Sequence, residues 1–457
     1  MKLSKYLILG TLSSYALTGC IGSDSSSSTV VGADTYIPFS ETGGLLWGTH
    51  ESLLKTDGTQ AGTQLVYDPA AANDQSVHIT ELTSLGDFVY FKESIQDEDY
   101  SLLPPAPSRA YNQLDTNSNT IAIQSTFSNN DWFDHFSTLH INSKIYTYRI
   151  KTMTVLNVNH FETDIVEYNN LGVVTDHTSI MSGHKLSIVT APIVVGTKIY
   201  FGADGSSSAF IEFDTVNLTA TALSIPNNEF ALSFSAVSNT LYVSSDQSNL
   251  YSYDTTSGTL NTTAVQTGIV MSQNELGNIP ENNGFLFSSD QSNILAFDTS
   301  NNTTTTLDAC INSNFLYNNS TEIYLVCHTP PVPAAPPIAA IPSQKKILKV
   351  DTSTSALTST LYTNAQIVDI HNYAIANGGL FFAGQDANYS ANKLWFMGFG
   401  ASAPVEIAFG NIADDIGTPT HLTELNGDII FSARNQTTLD YHLYNYDTTT
   451  TNLSELY

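Results

Sequence analysis

Short runs of alternating apolar and polar residues follow one another along the chain, and each run ends in a polar cluster. Examples are KIYTYRI at 144–150, TLYVSS at 240–245 and GLFFAG at 379–384. Alternation with a period of two residues, bounded by Ser, Asn, Asp and Gly, predicts β-strands joined by turns. The pattern contains no helical signal, so the sequence predicts an all-β protein.

The strand pattern itself repeats. The segment NTLYVSSDQSNLYSYDTTSGTLNTT from Asn239 matches NGFLFSSDQSNILAFDTSNNTTTTL from Asn283, and the hexapeptide SSDQSN returns after 44 residues, from Ser244 to Ser288. A residue that closes a strand recurs at Asp57, Asp115, Asn169, Asp214, Asp254, Asp298, Asp351, Gly400 and Asp447. Four strands in each unit of about 45 residues is typical of a β-propeller blade. We expect one ring of eight or nine blades, with seven as a further alternative.

The acidic residues of the chain could form turns or bind calcium. SSDQSN is interpreted as a turn between a second and a third strand, because Asp and Ser accept hydrogen bonds from nearby backbone. One Asp in a hexapeptide cannot supply the six or more oxygens that calcium needs. The run Asp97, Glu98 and Asp99 is the better calcium candidate, and a flexible acidic loop is its alternative. No cofactor is expected, with calcium left open.

Some units resemble known repeats. ESLLKTDGTQAGTQLVYD at 51–68 resembles the LW-x-TDGT-x-AGT repeat of bacterial exported propeller proteins. YSYDTTSGTL at 251–260 and YNYDTTTTNL at 444–453 resemble the YD-x-x-TG repeat of quinoprotein-like propellers. Both resemblances imply the propeller fold, and neither implies an activity. Most units lack the Trp and Gly of the quinoprotein motif, so a bound quinone is not implied.

The first residues have the layout of a secretory signal. Lys2 and Lys5 precede a short apolar run that ends in Leu17-Thr18-Gly19-Cys20. These last four residues resemble the bacterial lipobox, which implies cleavage before Cys20 and acylation of its thiol, palmitate included. The alternative is a signal peptide that happens to end near a cysteine. Ile21, in place of Asp, resembles the pattern of lipoproteins sent to the outer membrane.

These observations divide the chain into a lipoprotein signal peptide at 1–19, a Ser-rich tether at 20–35 and a β-propeller domain at 36–457. We expect a lipid-anchored protein of the bacterial outer membrane, on the periplasmic side or at the cell surface. The net charge of −28 falls to −30 when Lys2 and Lys5 are removed with the signal. Such a field repels nucleic acid, so no nucleic-acid partner is expected.

The other two cysteines, Cys310 and Cys327, are expected to form a disulfide in an oxidising compartment. The segment between them reads as a hairpin around Asn318-Asn319-Ser320. Pairing Tyr317 with Ser320 puts the two thiols opposite each other, within bonding reach. The alternative is two buried free cysteines.

Candidate catalytic groups are few. Eleven histidines are scattered, and none forms HExxH or a tight metal-binding cluster. The densest segment, DWFDHFSTLH at 131–140, runs into the inner strand of the third unit, which makes His135 and His140 the weak catalytic candidates. The alternative is a solvated loop and a satisfied strand histidine. Neither GxSxG nor a P-loop is present. The sequence favours a protein that is not an enzyme.

Two proline-rich insertions, YSLLPPAPSRA from Tyr100 and TPPVPAAPPIAAIP from Thr329, fall between second and third strands and should project from one face. They form either a docking face or tolerated surface insertions. We expect a monomeric scaffold that binds an envelope protein or glycan and is attached to the membrane through the lipid on Cys20. The alternative is an exported polysaccharide lyase or hydrolase with its active site at the channel mouth.

Overall fold

The structure is a computed structural model. It describes residues 36–39, 44–48, 53–67, 76–85, 87–96, 109–115, 120–127, 135–155, 158–187, 190–204, 208–268, 279–289, 293–308, 311–329, 344–362, 367–386, 393–399, 401, 403–407, 416, 419–434 and 441–456. The predicted signal and tether with Cys20, the acidic run at 97–99, Cys310 and the proline-rich insertions lie outside these residues. The expectations for them remain predictions.

Nine antiparallel sheets of four consecutive strands make up the described part of the chain, and the fifth sheet carries one additional short strand. We number these sheets as blades one to nine in chain order. Blades one to three contain β1 (Tyr36–Phe39), β2 (Gly44–Gly48), β3 (Leu53–Thr56), β4 (Gln64–Tyr67), β5 (Ser76–Leu85), β6 (Phe88–Gln96), β7 (Arg109–Asp115), β8 (Thr120–Phe127), β9 (His135–Ile141), β10 (Lys144–Val155), β11 (Val158–Asn169) and β12 (Val174–Asp176).

Blades four to six contain β13 (Ile193–Val195), β14 (Lys198–Gly202), β15 (Phe210–Asp214), β16 (Thr219–Leu223), β17 (Ala231–Val237), β18 (Thr240–Ser245), β19 (Asn249–Asp254), β20 (Thr259–Leu260), β21 (Gln266–Thr267), β22 (Glu281–Asn282), β23 (Phe285–Ser289), β24 (Ile294–Asp298) and β25 (Thr303–Asp308). Short 3-10 turns span Thr178–Met181 and Pro226–Asn228. No helix within the described ranges has the length and apolar character needed to cross a membrane.

Blades seven to nine contain β26 (Ile311–Asn318), β27 (Glu322–Thr329), β28 (Gln344–Asp351), β29 (Thr358–Tyr362), β30 (Ile367–Ala376), β31 (Gly379–Asp386), β32 (Lys393–Gly398), β33 (Val405–Glu406), β34 (Thr420–Leu425), β35 (Asp428–Arg434), β36 (Tyr441–Asp447) and β37 (Asn452–Glu455). Tight Asn-Gly turns join the first two strands of several blades, as at Asn283-Gly284 and Asn426-Gly427. All four of these residues have positive φ, which two-residue hairpin turns require and which Asn and Gly adopt readily.

The apolar core lies between neighbouring blades. Leu85 and Tyr90 of blade two, for example, pack against Ile145 and Tyr168 of blade three. Within the described residues every pair of successive blades shares a cluster of this kind, and Leu54 of blade one belongs to a cluster of blade nine. The nine blades therefore close into one ring. The predicted all-β propeller is confirmed, with the higher of the expected blade counts.

The ring closes without a strand shared between its ends. β1–β4 form blade one and β34–β37 form blade nine, each from one continuous segment. Leu54 packs with Leu425, Leu443 and their neighbours across the junction. The Asn445 side-chain amide also donates a hydrogen bond of 2.8 Å to the carbonyl oxygen of Gly58. Closure thus depends on side-chain packing and side-chain hydrogen bonds.

The strand order gives the ring two different faces. First strands of successive blades contact each other around most of the ring, so they lie innermost. Turns between first and second strands and turns between third and fourth strands share one face, which we call the turn face. Loops between second and third strands lie on the opposite, loop face. Both proline-rich insertions join second to third strands, β6 to β7 and β27 to β28, as predicted.

The hexapeptide SSDQSN is a turn, as predicted. Its first copy joins β18 to β19, and its second copy falls between β23 and β24 with its central residues outside the described ranges. Glu229, only 4% exposed, accepts hydrogen bonds from the Ser245 hydroxyl and from Tyr251 at 3.0 Å. Asp246 accepts one from the Phe230 backbone at 2.9 Å. These contacts explain Ser245 and Asp246 of this copy without a ligand.

The predicted hairpin register around the second cysteine is wrong. Tyr317 pairs with Tyr324, and Cys327 lies opposite Ser313 instead of opposite Cys310. The reason is a longer turn, in which the Asn319 side chain accepts hydrogen bonds from the backbone of Thr321 and Glu322, together with two irregularities in β26. Since Cys310 lies outside the described residues, the disulfide itself remains a prediction.

Candidate binding surface

Turns between third and fourth strands share one local design. In blade four the Asp214 carboxylate accepts hydrogen bonds from the backbone N–H of Val216 at 2.9 Å and Asn217 at 3.0 Å. In blade five Asp254 accepts them from Thr256 at 2.8 Å and Ser257 at 3.1 Å. These bonds favour the ionised carboxylate and lower the pKa of Asp254 below its usual range. The recurring strand-closing residues are therefore turn residues.

A threonine follows the aspartate, and its hydroxyl forms a hydrogen bond that links two turns of the same blade. The hydroxyl of Thr215 donates to the carbonyl oxygen of Thr197 at 2.7 Å, and that of Thr255 donates to Asn239 at 2.9 Å. Thr299 makes the same bond in blade six at 2.8 Å. The acceptor lies in the turn between the first and second strands. This role explains why Thr recurs after Asp, which sequence reasoning had left unexplained.

The last turn residue adopts a left-handed backbone conformation in four blades. Its φ is 70° at Gly258, 57° at Asn302, 61° at Thr451 and 53° at Leu218. Gly and Asn tolerate this conformation, whereas a bulky side chain such as leucine is strained in it. Blades four and nine therefore carry residues, Leu218 and Thr451, that this backbone conformation disfavours.

Blades three and four also differ from blades five, six and nine in what these turns expose, while Leu65 of blade one and Val405 of blade eight are 47% and 57% exposed on fourth strands. Leu171, Val173 and Val174 of blade three are 76%, 53% and 38% exposed, and Val216 and Leu218 of blade four are 67% and 42% exposed. We call these five residues the apolar turns. Blades five, six and nine place only exposed Thr, Ser, Asn and Gly at the equivalent turn positions, which are 256–258, 300–302 and 449–451. The shared turn design therefore does not require apolar side chains.

A cleft of about 390 Å³ lies between the apolar turns on the turn face. Its lining residues are Ile141, Asn142, Ser143, Lys144, Tyr146, Asn169, Asn170, Thr215 and Val216. Backbone-anchored side chains fix its rim, because Asn169 accepts hydrogen bonds from the backbone N–H of Leu171 at 2.9 Å and Val173 at 3.1 Å. The cleft thus combines a largely polar wall with one exposed aliphatic side chain, that of Val216.

A buried carboxylate network lies beneath the cleft. Glu167 accepts an ion-paired hydrogen bond from Lys144 at 2.7 Å, a bond from the Tyr146 hydroxyl at 2.8 Å and a contact from His177 at 3.1 Å. Burial acts to raise the pKa of Glu167, but its hydrogen bonds to Lys144, Tyr146 and His177 outweigh burial and lower that pKa. Burial, together with the bond to Glu167, raises the pKa of Tyr146.

The same network recurs in other blades, which argues for a structural role. In blade four Glu212 contacts Lys198 at 2.8 Å and Tyr200 at 3.0 Å. In blade seven Glu322 pairs with Lys349 and accepts from Tyr324 at 3.0 Å, but here the glutamate precedes the tyrosine and the lysine lies on the next strand. Lysine and glutamate have exchanged strands while the contact is retained. Groups that hold strands together in three blades are poor candidates for a single active site.

The predicted catalytic candidates lie on the innermost strand of blade three. His135 begins β9 and pairs with Ile150, and its side chain lies outside the described part of the chain. His140 pairs with Ile145, and its side chain is exposed although enough protein surrounds the imidazole to lower its pKa by desolvation. Among described residues no group of three or more His, Cys, Asp or Glu is arranged to hold a metal ion.

Comparison with known proteins identifies no family for this chain. No family model matches the chain, and no curated protein matches it. BamB from Moraxella catarrhalis is 10% identical, covering 76% of this chain and 95% of that chain with a TM-score of 0.38. An acylaminoacyl peptidase from Pyrococcus horikoshii is 9% identical, covering 83% of this chain and 52% of that one with a TM-score of 0.40. The propeller of the Trilobed protease from Pyrococcus furiosus is 12% identical, covering 72% and 96% with a TM-score of 0.30. Likeness at this level carries no argument about activity.

Proposed function

We propose that this protein is an exported, lipid-anchored scaffold of the bacterial envelope that binds a partner polypeptide through the apolar turns of blades three and four. The signal-like residues 1–19 and Cys20 support the address. The propeller supports the scaffold role, because rigid rings present turns and loops in fixed positions. A polypeptide partner is one of the two classes that the sequence left open, the other being a glycan.

One observation carries this proposal: five aliphatic side chains are exposed in the turns of blades three and four and at the start of β12, whereas the equivalent turns of blades five, six and nine expose polar residues. Such grouped apolar exposure marks interaction sites. Aliphatic groups gain free energy when apolar atoms of a partner exclude water from them, by roughly 25 cal/mol per Å². Polypeptide side chains supply such atoms, whereas the hydroxyl groups of a glycan need polar partners.

Site-specific photo-cross-linking in intact cells tests the binding role. A benzophenone side chain is placed at Val216 and, as the matched control, at Thr256, the equivalent turn position in blade five. Val216 should yield a discrete protein adduct, and Thr256 should yield none. The same adduct from both positions, or an adduct from Thr256 alone, would contradict the proposed surface.

Metabolic labelling tests the predicted anchor separately. Cells expressing the wild-type chain or Cys20→Ser are fed an alkyne analogue of palmitate and fractionated. We expect label and outer-membrane association in the wild type and loss of both in Cys20→Ser. Label that persists in the variant would place acylation at another residue. An unlabelled wild-type chain would remove the lipid anchor from the proposal.

A second candidate function is an exported polysaccharide lyase or hydrolase acting in the channel. It is favoured by the position of five histidines, which lie on first strands of blades two, three, eight and nine: His78, His135, His140, His371 and His421. Release of reducing ends from a polysaccharide panel, lost in His140→Asn with the fold intact, would support this candidate. Equal release by wild type and variant would remove His140 from it.

A further inference from the structure

The turn face surrounds the apolar turns with acidic groups. Aspartates close the third strands of seven blades, and six of them have described side-chain hydrogen bonds at these turns: Asp57, Asp214, Asp254, Asp298, Asp351 and Asp447. For Asp254, Asp351 and Asp447 backbone and side-chain donors lower the pKa. These carboxylates therefore remain ionised at neutral pH.

Two nearby lysines offset only part of this charge. Lys144 is paired with Glu167 at 2.7 Å, and Lys198 is paired with Glu212 at 2.8 Å, although the charge of Lys198 also helps to lower the pKa of Asp214. Asp214 lies at the start of the turn that carries Val216 and Leu218, and Asp254 closes the third strand of the adjacent blade five. The whole chain carries 43 acidic and 15 basic residues. The apolar turns thus lie on a face with more acidic than basic groups, beside the partly exposed Lys144, the largely buried Asp214 and the exposed Asp254.

We propose that the partner segment carries aliphatic side chains flanked by lysine or arginine. This inference rests on the proposed function, because it names the chemistry of the polypeptide bound at the same surface. The aliphatic side chains cover the apolar turns, and the basic residues lie against the neighbouring carboxylates. Opposite charge at the rim speeds association and excludes acidic competitors, while the apolar contact supplies most of the affinity.

Backbone conformation alone does not distinguish the apolar turns. Leu218 has a φ of 53°, and Thr451 of blade nine has a φ of 61° at the same turn position although that turn exposes only polar residues. An anionic lipid surface fits this face poorly, since both surfaces are negative.

Selection from a displayed library of random dodecapeptides on the purified protein tests the inference. We expect enriched peptides that contain Leu, Ile or Val beside Lys or Arg. Their dissociation constants should rise about tenfold when salt is raised from about 0.05 to about 0.5 M, because salt screens the attraction between exposed charges. Enriched peptides that are acidic or uncharged, or affinities that ignore salt, would overturn the inference.

Two variants separate this inference from the proposed function. Val216→Thr with Leu218→Gly copies the blade-five turn, and Asp214→Asn with Asp254→Asn removes charge while Asn169 shows that asparagine maintains this turn. The first pair of substitutions should weaken peptide binding at least about 30-fold, and the second pair should weaken it about three- to tenfold. If the peptides bind the variant Val216→Thr with Leu218→Gly as tightly as the wild type, the proposed surface is wrong. If this variant loses binding while Asp214→Asn with Asp254→Asn binds as tightly as the wild type, only the charge inference is wrong.

Vesicles of phosphatidylcholine, with or without phosphatidylglycerol, serve as the lipid probe in the same assay. We expect that substitution of Val216 and Leu218 does not change binding to vesicles of either composition. Loss of vesicle binding in Val216→Thr with Leu218→Gly, with no peptide enriched, would replace the polypeptide partner by a lipid surface.

Discussion

The turn of blade four and the turn of blade five have the same backbone design and opposite surface chemistry. Both begin with an aspartate that accepts backbone hydrogen bonds, both use a threonine to bind the neighbouring turn, and both end in positive φ. Blade five then exposes Thr256, Ser257 and Gly258, whereas blade four exposes Val216 and Leu218.

This difference separates what the fold requires from what it permits. Aspartate, threonine and the left-handed position recur because they satisfy backbone donors and acceptors. The hydrogen-bonding design of the turn does not require the exposed aliphatic residues of blade four, because blade five forms it with Thr, Ser and Gly. The proposed binding role gives these residues a function that the turn design does not.

Exchanging the two turns should have the largest effect. In Val216→Thr with Leu218→Gly, affinity for a selected peptide should fall at least about 30-fold, because covering two aliphatic side chains contributes about 2–4 kcal/mol. Calorimetric titration measures this loss. The reciprocal variant, Thr256→Val with Gly258→Leu, is the control and should gain no affinity for that peptide.

Removal of the threonine hydroxyl should lower the unfolding free energy by a similar amount in blades four and five, because both turns use the same hydrogen bond. Thr215→Val and Thr255→Val each remove the hydroxyl hydrogen bond to a backbone carbonyl oxygen that the backbone N–H of the same residue also contacts, and both residues are 8% exposed. Each variant should lose about 0.5–1.5 kcal/mol of unfolding free energy in urea. If only one of the two variants loses unfolding free energy, the two turns do not depend on the threonine hydroxyl in the same way.

Relief of strain should raise stability slightly. Leu218→Asn places at that position the residue that blade six has at Asn302. We expect the unfolding free energy to increase by about 0.5–1 kcal/mol, while peptide affinity decreases. A less stable variant would mean that Leu218 packs for the benefit of the fold.

The smallest expected effect is on the pH dependence of the unfolding free energy. Hydrogen bonds lower the pKa of Asp254 below its usual 3.8, so this carboxylate stabilises the folded state above that pH. The stabilisation is lost as the pH falls through the lowered pKa. Asp254→Asn should therefore reduce the slope of unfolding free energy against pH below about pH 4. An unchanged slope would show that the turn bonds do not depend on ionisation.

Sequence reasoning predicted the ring well because its signals are local. Strand-closing residues such as Asp214 and Asp298 end third strands in the structure, since an aspartate after alternating residues both ends a strand and begins a turn. Gly400 lies outside the described residues, and the third strand of its blade ends at Gly398. The hairpin register at Cys327 was wrong because one longer turn and two irregularities shift every pair.

The candidate surface was not predictable to the same degree. Leu171 and Val216 are apolar in the sequence, but only the ring shows that they face water instead of a neighbouring blade. The Lys-Ile-Tyr segments at 144–146 and 198–200 are visible repeats, yet their glutamate partners come from the following strand. Such pairs depend on register, which alternation alone does not give.

Hydrogen exchange of the protein with and without a selected dodecapeptide tests the central claim most directly. The account predicts slower exchange at residues 169–176 and 214–219 and no change at the equivalent turns, 254–259 and 298–303. Protection of all these turns alike, or protection only on the loop face, would contradict it.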